Sequence, residues 1–423
     1  MNRGELWPLY RSILRRELVM ATGCTEPIAI AYAGALARET LGGEPERVEV
    51  LCSGNIIKNV KSVVVPGTGG LRGIEAAALI GAVGGDSSAG LNVLHKITDD
   101  DRARARSLLE RGVCRVGLLD TGEALHIRLT LESQGHRALV EICRDHTNVV
   151  SRQLDGRELT AARSAGGGDP GIPADYGCLT VAGILDYAEG TDLAEEAPIL
   201  ENQIDCNSRI ADEGLAHRYG LNVGRALLDA AQDSFATAKA MAAAGSDARM
   251  SGCLMPVVIN SGSGNQGLTV SMPVVQYALS CGCGHETLLR ALLVSNLVSI
   301  HIKDKIGRLS AFCGAVSAAC GAGAAVTWLS GAPREQVSAT ITNTLANVSG
   351  IVCDGAKPSC AAKIATALDA AFLAHRLAVQ GKRFSGGDGI IADDVEATIQ
   401  KVGILGSRGM QETDREILGL MLQ

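Results

Sequence analysis

Residues 311–331, "AFCGAVSAACGAGAAVTWLSG", decide what kind of protein this is. The run is apolar at helical spacing, most of its positions are Ala or Gly, and it closes on a glycine. A helix with such short side chains buries its surface only by lying close against other helices, so the stretch predicts a tightly packed helical domain. Composition points the same way: hydrophobic residues are 46% of the 423, aromatics only 3%, and glycine occurs 51 times.

Working outward, the same texture holds from about residue 178 to the C-terminus, in segments such as "VGRALLDAAQDSFATAKAMAAAG", "ETLLRALLVSNLVSIHIK" and "CAAKIATALDAAFLAHRLAVQG", separated by Gly-rich turns. Upstream, "SAGGGDPGIPAD" at 164–175 has the Gly and Pro density of a linker. Between about 46 and 150 the pattern changes. "RVEVLCS" and "KSVVVPG" read as short strands, "GIEAAALIGAVGG" as a helix, and "LHIRLTLES" and "HRALVEICR" as alternating strands joined by a polar turn at Gly135. Helices are expected near 5–20 and over 26–41, the second with Pro27 in its first turn and Gly42 at its end. The fold class is therefore α+β: a predominantly helical domain of residues 1–44 and 165–423 that carries the cysteine cluster, with a smaller α/β domain, 45–164, inserted into it.

A formal charge of −7, with cations scattered and no basic stretch interleaved with aromatics, argues against nucleic acid as a partner. Charges run through the first residues, where a secretory signal needs an apolar core, and no apolar run reaches the roughly 18–20 residues of a membrane span. The expectation is a cytoplasmic protein without membrane partners, self-association being left open. Thirteen cysteines, an odd number, do not suit a disulfide framework in that compartment.

The spacings sort these thiols. In "CDGAKPSC", Cys353 and Cys360 flank a Gly-Ala-Lys-Pro turn able to aim both inward, and Cys360 opens a helix whose dipole favours a thiolate. Metal ligation and simple packing stand level for this pair. Cys313, beside the cationic "HIKDKIGRL", is a better third ligand than Cys320, which sits among Ala and Gly as a packing residue. Cys281, Cys283 and His285 in "SCGCGHE" resemble a zinc site, but their spacing is tight for one. Cys24, in "GCTEP" before a helix, is either an accessible, acidified thiol or a bystander to a Thr22 or Thr25 cap.

Together, "GCTEP" at 23–27, "SGN" at 53–55, "SGSGNQG" at 261–267, "HIKDKIGRLSAFCGA" at 301–315 and "CDGAKPSCAAK" at 353–363 resemble the L-cysteine desulfidase family, which is related to the α-chain of iron–sulfur L-serine dehydratases. The resemblance runs from about residue 15 to the C-terminus. It implies a [4Fe–4S] cluster on Cys313, Cys353 and Cys360, and the short loop between the last two favours the desulfidase branch. It also implies that Cys24 lies near the substrate, as a base or as a transient fourth ligand.

Three thiolates leave one iron open to act as a Lewis acid, which suits β-elimination from a small amino-acid substrate. L-Cysteine would yield pyruvate, ammonia and sulfide; an L-serine ammonia-lyase of the same mechanism and a non-catalytic iron–sulfur sensor are the competing readings. A pyridoxal phosphate enzyme would need a Schiff-base lysine, and Lys357 and Lys363, beside the cysteines, suit that role poorly. Candidates to hold the substrate are Ser261, Ser263 and Asn265 in a Gly-rich nest, Ser53, Asn55 and Lys58 at a strand end, and His301 and Lys303. Each has a plainer alternative: a loop, a solvated turn, an exposed helix end. Glu201, Asn202, Asp205 and Asn207 are either a supporting layer of the site or an exposed face.

Overall fold

The computed structural model describes residues 3–159 and 175–422, so the linker expected at 164–175, and the domain boundary within it, fall outside the described residues except for Asp175. The chain starts with α1 (Arg3–Glu17) and a short strand β1 (Met20–Thr22), then enters α2 (Thr25–Leu41). Gly42 ends α2 in the left-handed region at φ 78°, its N–H on the Arg38 carbonyl, a turn that suits glycine. Next come β2 (Arg47–Cys52), α3 (Gly54–Val60), α4 (Gly73–Gly84), α5 (Asp99–Glu110), β3 (Cys114–Leu118), β4 (His126–Ser133), β5 (His136–Cys143), β6 (Val149–Leu154) and β7 (Arg157–Glu158).

These strands form one mixed sheet in the order β3-β2-β4-β5-β6-β7, in which only β2 and β3 run parallel. Gln134 and Gly135, both at positive φ, make the two-residue turn that pairs Ser133 with His136 and sets the β4–β5 register. Ile127, Leu129 and Leu131 alternate inward and are fully buried against α2, which is sandwiched between this sheet and α4. By packing, α2 thus belongs with the sheet, although it precedes the boundary expected at residue 45. The strand expected at "KSVVVPG" is also different: Val64 makes one isolated bridge to Arg72, because Pro66 and the positive-φ Gly67 cannot continue a ladder.

The second core is helical: α6 (Val181–Gly190), α7 (Ala197–Ala216), α8 (Val223–Asp229), α9 (Ser234–Met250), α10 (Gly264–Ser280), α11 (His285–Ile306), α12 (Gly314–Leu329), α13 (Arg334–Asn347), α14 (Cys360–Val379) and α15 (Val395–Ile404). Strand β8 (Pro256–Val258) pairs with β1, and a terminal helix α16 (Gln411–Leu422) packs back on α3. The stretch read first from the sequence becomes α12, buried at every position from Ala315 to Thr327 and packed on α10, α11, α13 and α14. A Cβ at Gly321 would stand 2.2 Å from the Ser295 carbonyl of α11, so the close approach of these two helices depends on that glycine. The α+β class and the helical domain expected from the sequence are what the structure has. Among the described residues, no helix is long and apolar enough to cross a membrane.

Candidate functional site

A cavity of about 100 Å³ lies at the seam of the two cores. Phe312 and Val352 form an antiparallel bridge there; the Cys313 N–H donates to Ile351 O at 2.9 Å and the Cys353 N–H to Ala311 O at 2.7 Å. This local pairing brings two distant cysteines together, and their sulfurs share a hydrogen bond. The loop then returns to Cys360, whose N–H donates to Lys357 O at 2.9 Å as α14 begins. Gly355 makes the turn possible: at φ 96°, a Cβ there would stand 2.3 Å from the Lys58 carbonyl of α3.

Helix ends converge on this cavity. Cys24, Ser263 and Cys313 are the N-caps of α2, α10 and α12, none with a side-chain cap bond, and Cys360 is the first residue of α14. Each N-terminus carries a partial positive charge, so the four together favour anions. Arg249 and Lys303, 2% and 4% exposed, add two buried cations to the lining. The Cys313 hydrogen bond, the Lys58 charge, the Gly355 N–H and Lys303 together hold the Cys353 thiol down to about 5 despite its burial. Donating that bond pushes Cys313 well up, and burial raises Cys360. Burial also lowers the Lys303 ammonium to about 8 against the pull of the Cys353 and Cys313 charges.

Cys24 does not have the acidified thiol that its helix-cap position suggested. It is 4% exposed and donates to Glu26 Oε2 at 3.1 Å, and burial first, the Glu26 charge second, push it well above the ordinary thiol range. Burial, followed by a carboxylate two residues away, sets the direction in spite of the helix N-terminus. Burial by itself would raise the Glu26 carboxyl, yet it is held below the usual range by the charges around it and by hydrogen bonds, among them that of Cys24. Its oxygens also accept from Thr25 Oγ1 at 3.2 Å and Asn59 Nδ2 at 2.9 Å.

Of the residues singled out in the sequence, Cys24, Ser263, Asn265, Lys303, Cys313, Cys353 and Cys360 line the cavity. Lys58 sits just behind it, buried and ion-paired with Asp414 of α16. Ser261 turns away, donating to Asn260 Oδ1 at 3.0 Å in a buried amide network with Asn296 and Gln203 that holds the Gly-rich loop. Ser53 caps α3 by position, donates to Ala124 O at 2.8 Å, and with Asn55 lines a separate groove of about 790 Å³. His301 lies outside the cavity lining because it is tied to Glu396 of α15 at 2.7 Å. The α7 residues scatter: Asn207 is buried on Val258 O at 3.2 Å, Asp205 pairs with Arg209, and Glu201 meets His285 at 3.3 Å on the surface.

Sequence reading missed Glu26, Asn59, Arg249, Gln266 and Arg308 in the lining, and His146, which interacts with Glu26 from a neighbouring pocket. Glu26 lies inside a quoted motif, so attention to carboxylates would have found it. Arg308 bonds Glu17 Oε1 at 2.7 Å and faces Asp145 at 3.4 Å, joining α1, the β5–β6 turn and the bundle. His146, on that same turn, is buried with Nε2 unpartnered, its charged form disfavoured by burial. Nothing local in the sequence marks either role.

The sequence model of the serine dehydratase alpha chain matches residues 88–419. The chain belongs to that family. Similar chains include proteins named UPF0597 protein from Lachnoclostridium phytofermentans, 53% identical over 97% of this chain and 98% of that one, and from Treponema denticola, 47% identical over 98% and 97%. Another, from Desulfitobacterium hafniense, is 48% identical over 100% of this chain and 98% of its own length. Membership in the serine dehydratase alpha-chain family supports a lyase-type enzyme acting on an amino acid.

The thiols that line the cavity are of the chemical type that an iron–sulfur cluster takes as ligands. Among the described residues, no three His, Cys, Asp or Glu side chains are grouped so as to hold one metal ion, and Cys281, Cys283 and His285 lie away from this cavity, before and at the start of α11. Cys313, Cys353 and Cys360 would hold such a cluster, and the buried cations and helix N-termini beside them would stabilise their thiolates.

Proposed function

We propose that this protein is an iron–sulfur-dependent L-cysteine desulfidase, converting L-cysteine and water to pyruvate, ammonia and sulfide. The observation that carries the reading is the gathering of Cys313, Cys353, Cys360 and Cys24 around one cavity fed by four helix N-termini. When bound, a [4Fe–4S] cluster held by Cys313, Cys353 and Cys360 supplies an open iron, a Lewis acid for the departing β-substituent. Lys58, Lys303 and the Gly355 N–H keep negative charge on Cys353.

The Cys24–Glu26 pair takes the Cα proton. Glu26 Oε2 accepts the Cys24 S–H, which keeps its proton in the resting site; transfer of that proton to Glu26, an uphill step of the reaction, leaves a thiolate at Sγ that can accept from carbon. Loss of the β-substituent then gives an aminoacrylate, which tautomerises to the imine and is hydrolysed. Burial of Cys24 and Glu26 keeps water from competing for that proton.

Family membership makes L-serine the second substrate to consider, since only the leaving group differs. The test is pyruvate and sulfide release by anaerobically reconstituted protein given L-cysteine and L-serine in parallel, alongside Cys353→Ser. The expected result is cluster-dependent sulfide release, with visible absorption and turnover both lost in Cys353→Ser. A Cys353→Ser protein that keeps its chromophore and full activity would overturn the assignment, and preference for serine would move it to the ammonia-lyase.

A further inference from the structure

We propose that Arg249 and the first turn of α10 form the seat for the substrate α-carboxylate, so that the site selects amino acids with a free carboxylate; this rests on the amino-acid reading above. Arg249 is 2% exposed, yet no described carboxylate forms an ion pair with it. Its Nη1 donates to Asn265 Oδ1 at 3.1 Å, while its buried Nε has no partner. Glu26 lies in the same lining but its oxygens are engaged by Cys24, Thr25 and Asn59. A desolvated guanidinium with an unpartnered Nε is costly to keep unless an anion arrives.

The surroundings define that anion. A Cβ at Gly264 would stand 2.3 Å from Arg249 Nε, so glycine lets the guanidinium lie across the start of α10. This helix is 17 residues long, and its N-cap Ser263 makes no side-chain cap bond, leaving first-turn N–H groups beside the cation. A planar, two-pronged donor next to helix N–H groups matches a carboxylate. The same cavity holds Cys24, the proton acceptor of the proposed reaction.

The test uses the full chain, reconstituted anaerobically, with L-alanine as probe, because it has the carboxylate but no leaving group, and L-alaninamide beside it. Binding is read by calorimetry, and KM values for L-cysteine and its amide are compared in parallel. The carboxylate forms should bind at least ~10-fold better, and Arg249→Gln should weaken them ~10–100-fold and cancel the preference with visible absorption unchanged. Arg249→Lys, which keeps the charge and loses the fork, should fall between. Equal binding of acid and amide by the wild type, or an Arg249→Gln protein with intact absorption that binds L-alanine normally, overturns the seat and leaves β-elimination standing. A wild type that binds neither probe and turns over neither L-cysteine nor L-serine overturns the amino-acid reading, and the seat with it.

Discussion

Cys24 and Glu26 stand two positions apart, and the proton between them is held by the thiol because the carboxylate is supported by Asn59 and Thr25. Glu26→Gln removes a negative charge beside the thiol, so Cys24 should titrate lower than in the wild type, though burial keeps it raised. Alkylation of the Cys24 peptide in cluster-free protein, followed by mass spectrometry across pH, reads this directly; an unmoved profile contradicts the coupling. Without Glu26 to receive the Cys24 proton during turnover, pyruvate formation should also fall by ~10²–10⁴-fold. A second carboxyl, Asp247 in α9, is raised to about 6, first by burial, against opposing N–H bonds from Gly224 and Val223. Below the ordinary value of 3.8 it is neutral folded or unfolded, and above 6 the folded state bears a buried charge. Its contribution to stability is therefore lost as pH rises through that window. Asp247→Asn should melt higher than the wild type at pH 7 and level with it at pH 3.5.

At the scale of elements, small residues set the distances between helices. Gly321→Ala would drive a methyl into the Ser295 carbonyl, forcing α11 and α12 apart at a cost of about 1–3 kcal/mol in denaturant unfolding. Gly43→Ala, with nothing within 4 Å, is the control and should be neutral or slightly stabilising. Elements with a one-sided pattern were legible in the sequence: β4 and β5 from alternation, and the α14 start from Cys360 after its turn. Elements buried on both sides were not placed so well. In α2, residues from Ile28 to Ala37 are apolar almost all round, so the sequence says helix but not which core receives it. The site divides the same way. Its cysteines and Gly-rich loop carry local signatures, whereas Arg249 and His146 acquire meaning only when α9 and the β5–β6 turn meet the cavity rim.

For the molecule as a whole, the consequential feature is that the site belongs to neither core alone: Cys24 packs with the sheet side, Cys313 with the bundle. Holding the seam is then part of holding the site. Gly355 lays the cysteine loop against α3 from one side, and α16 crosses from the bundle to α3 on the other, where Asp414 pairs with Lys58. Lys58 is 2% exposed, so removing its carboxylate strands a buried cation. Asp414→Asn should therefore cost about 2–4 kcal/mol, near the lower end of what broken buried pairs lose, because Asp414 is partly accessible. The double variant Lys58→Met with Asp414→Leu should cost less than the two single changes summed, by about 1–3 kcal/mol. Denaturant unfolding followed by circular dichroism measures all the variants. Additive losses would mean that the pair is a surface decoration and that the seam is held by apolar contact alone.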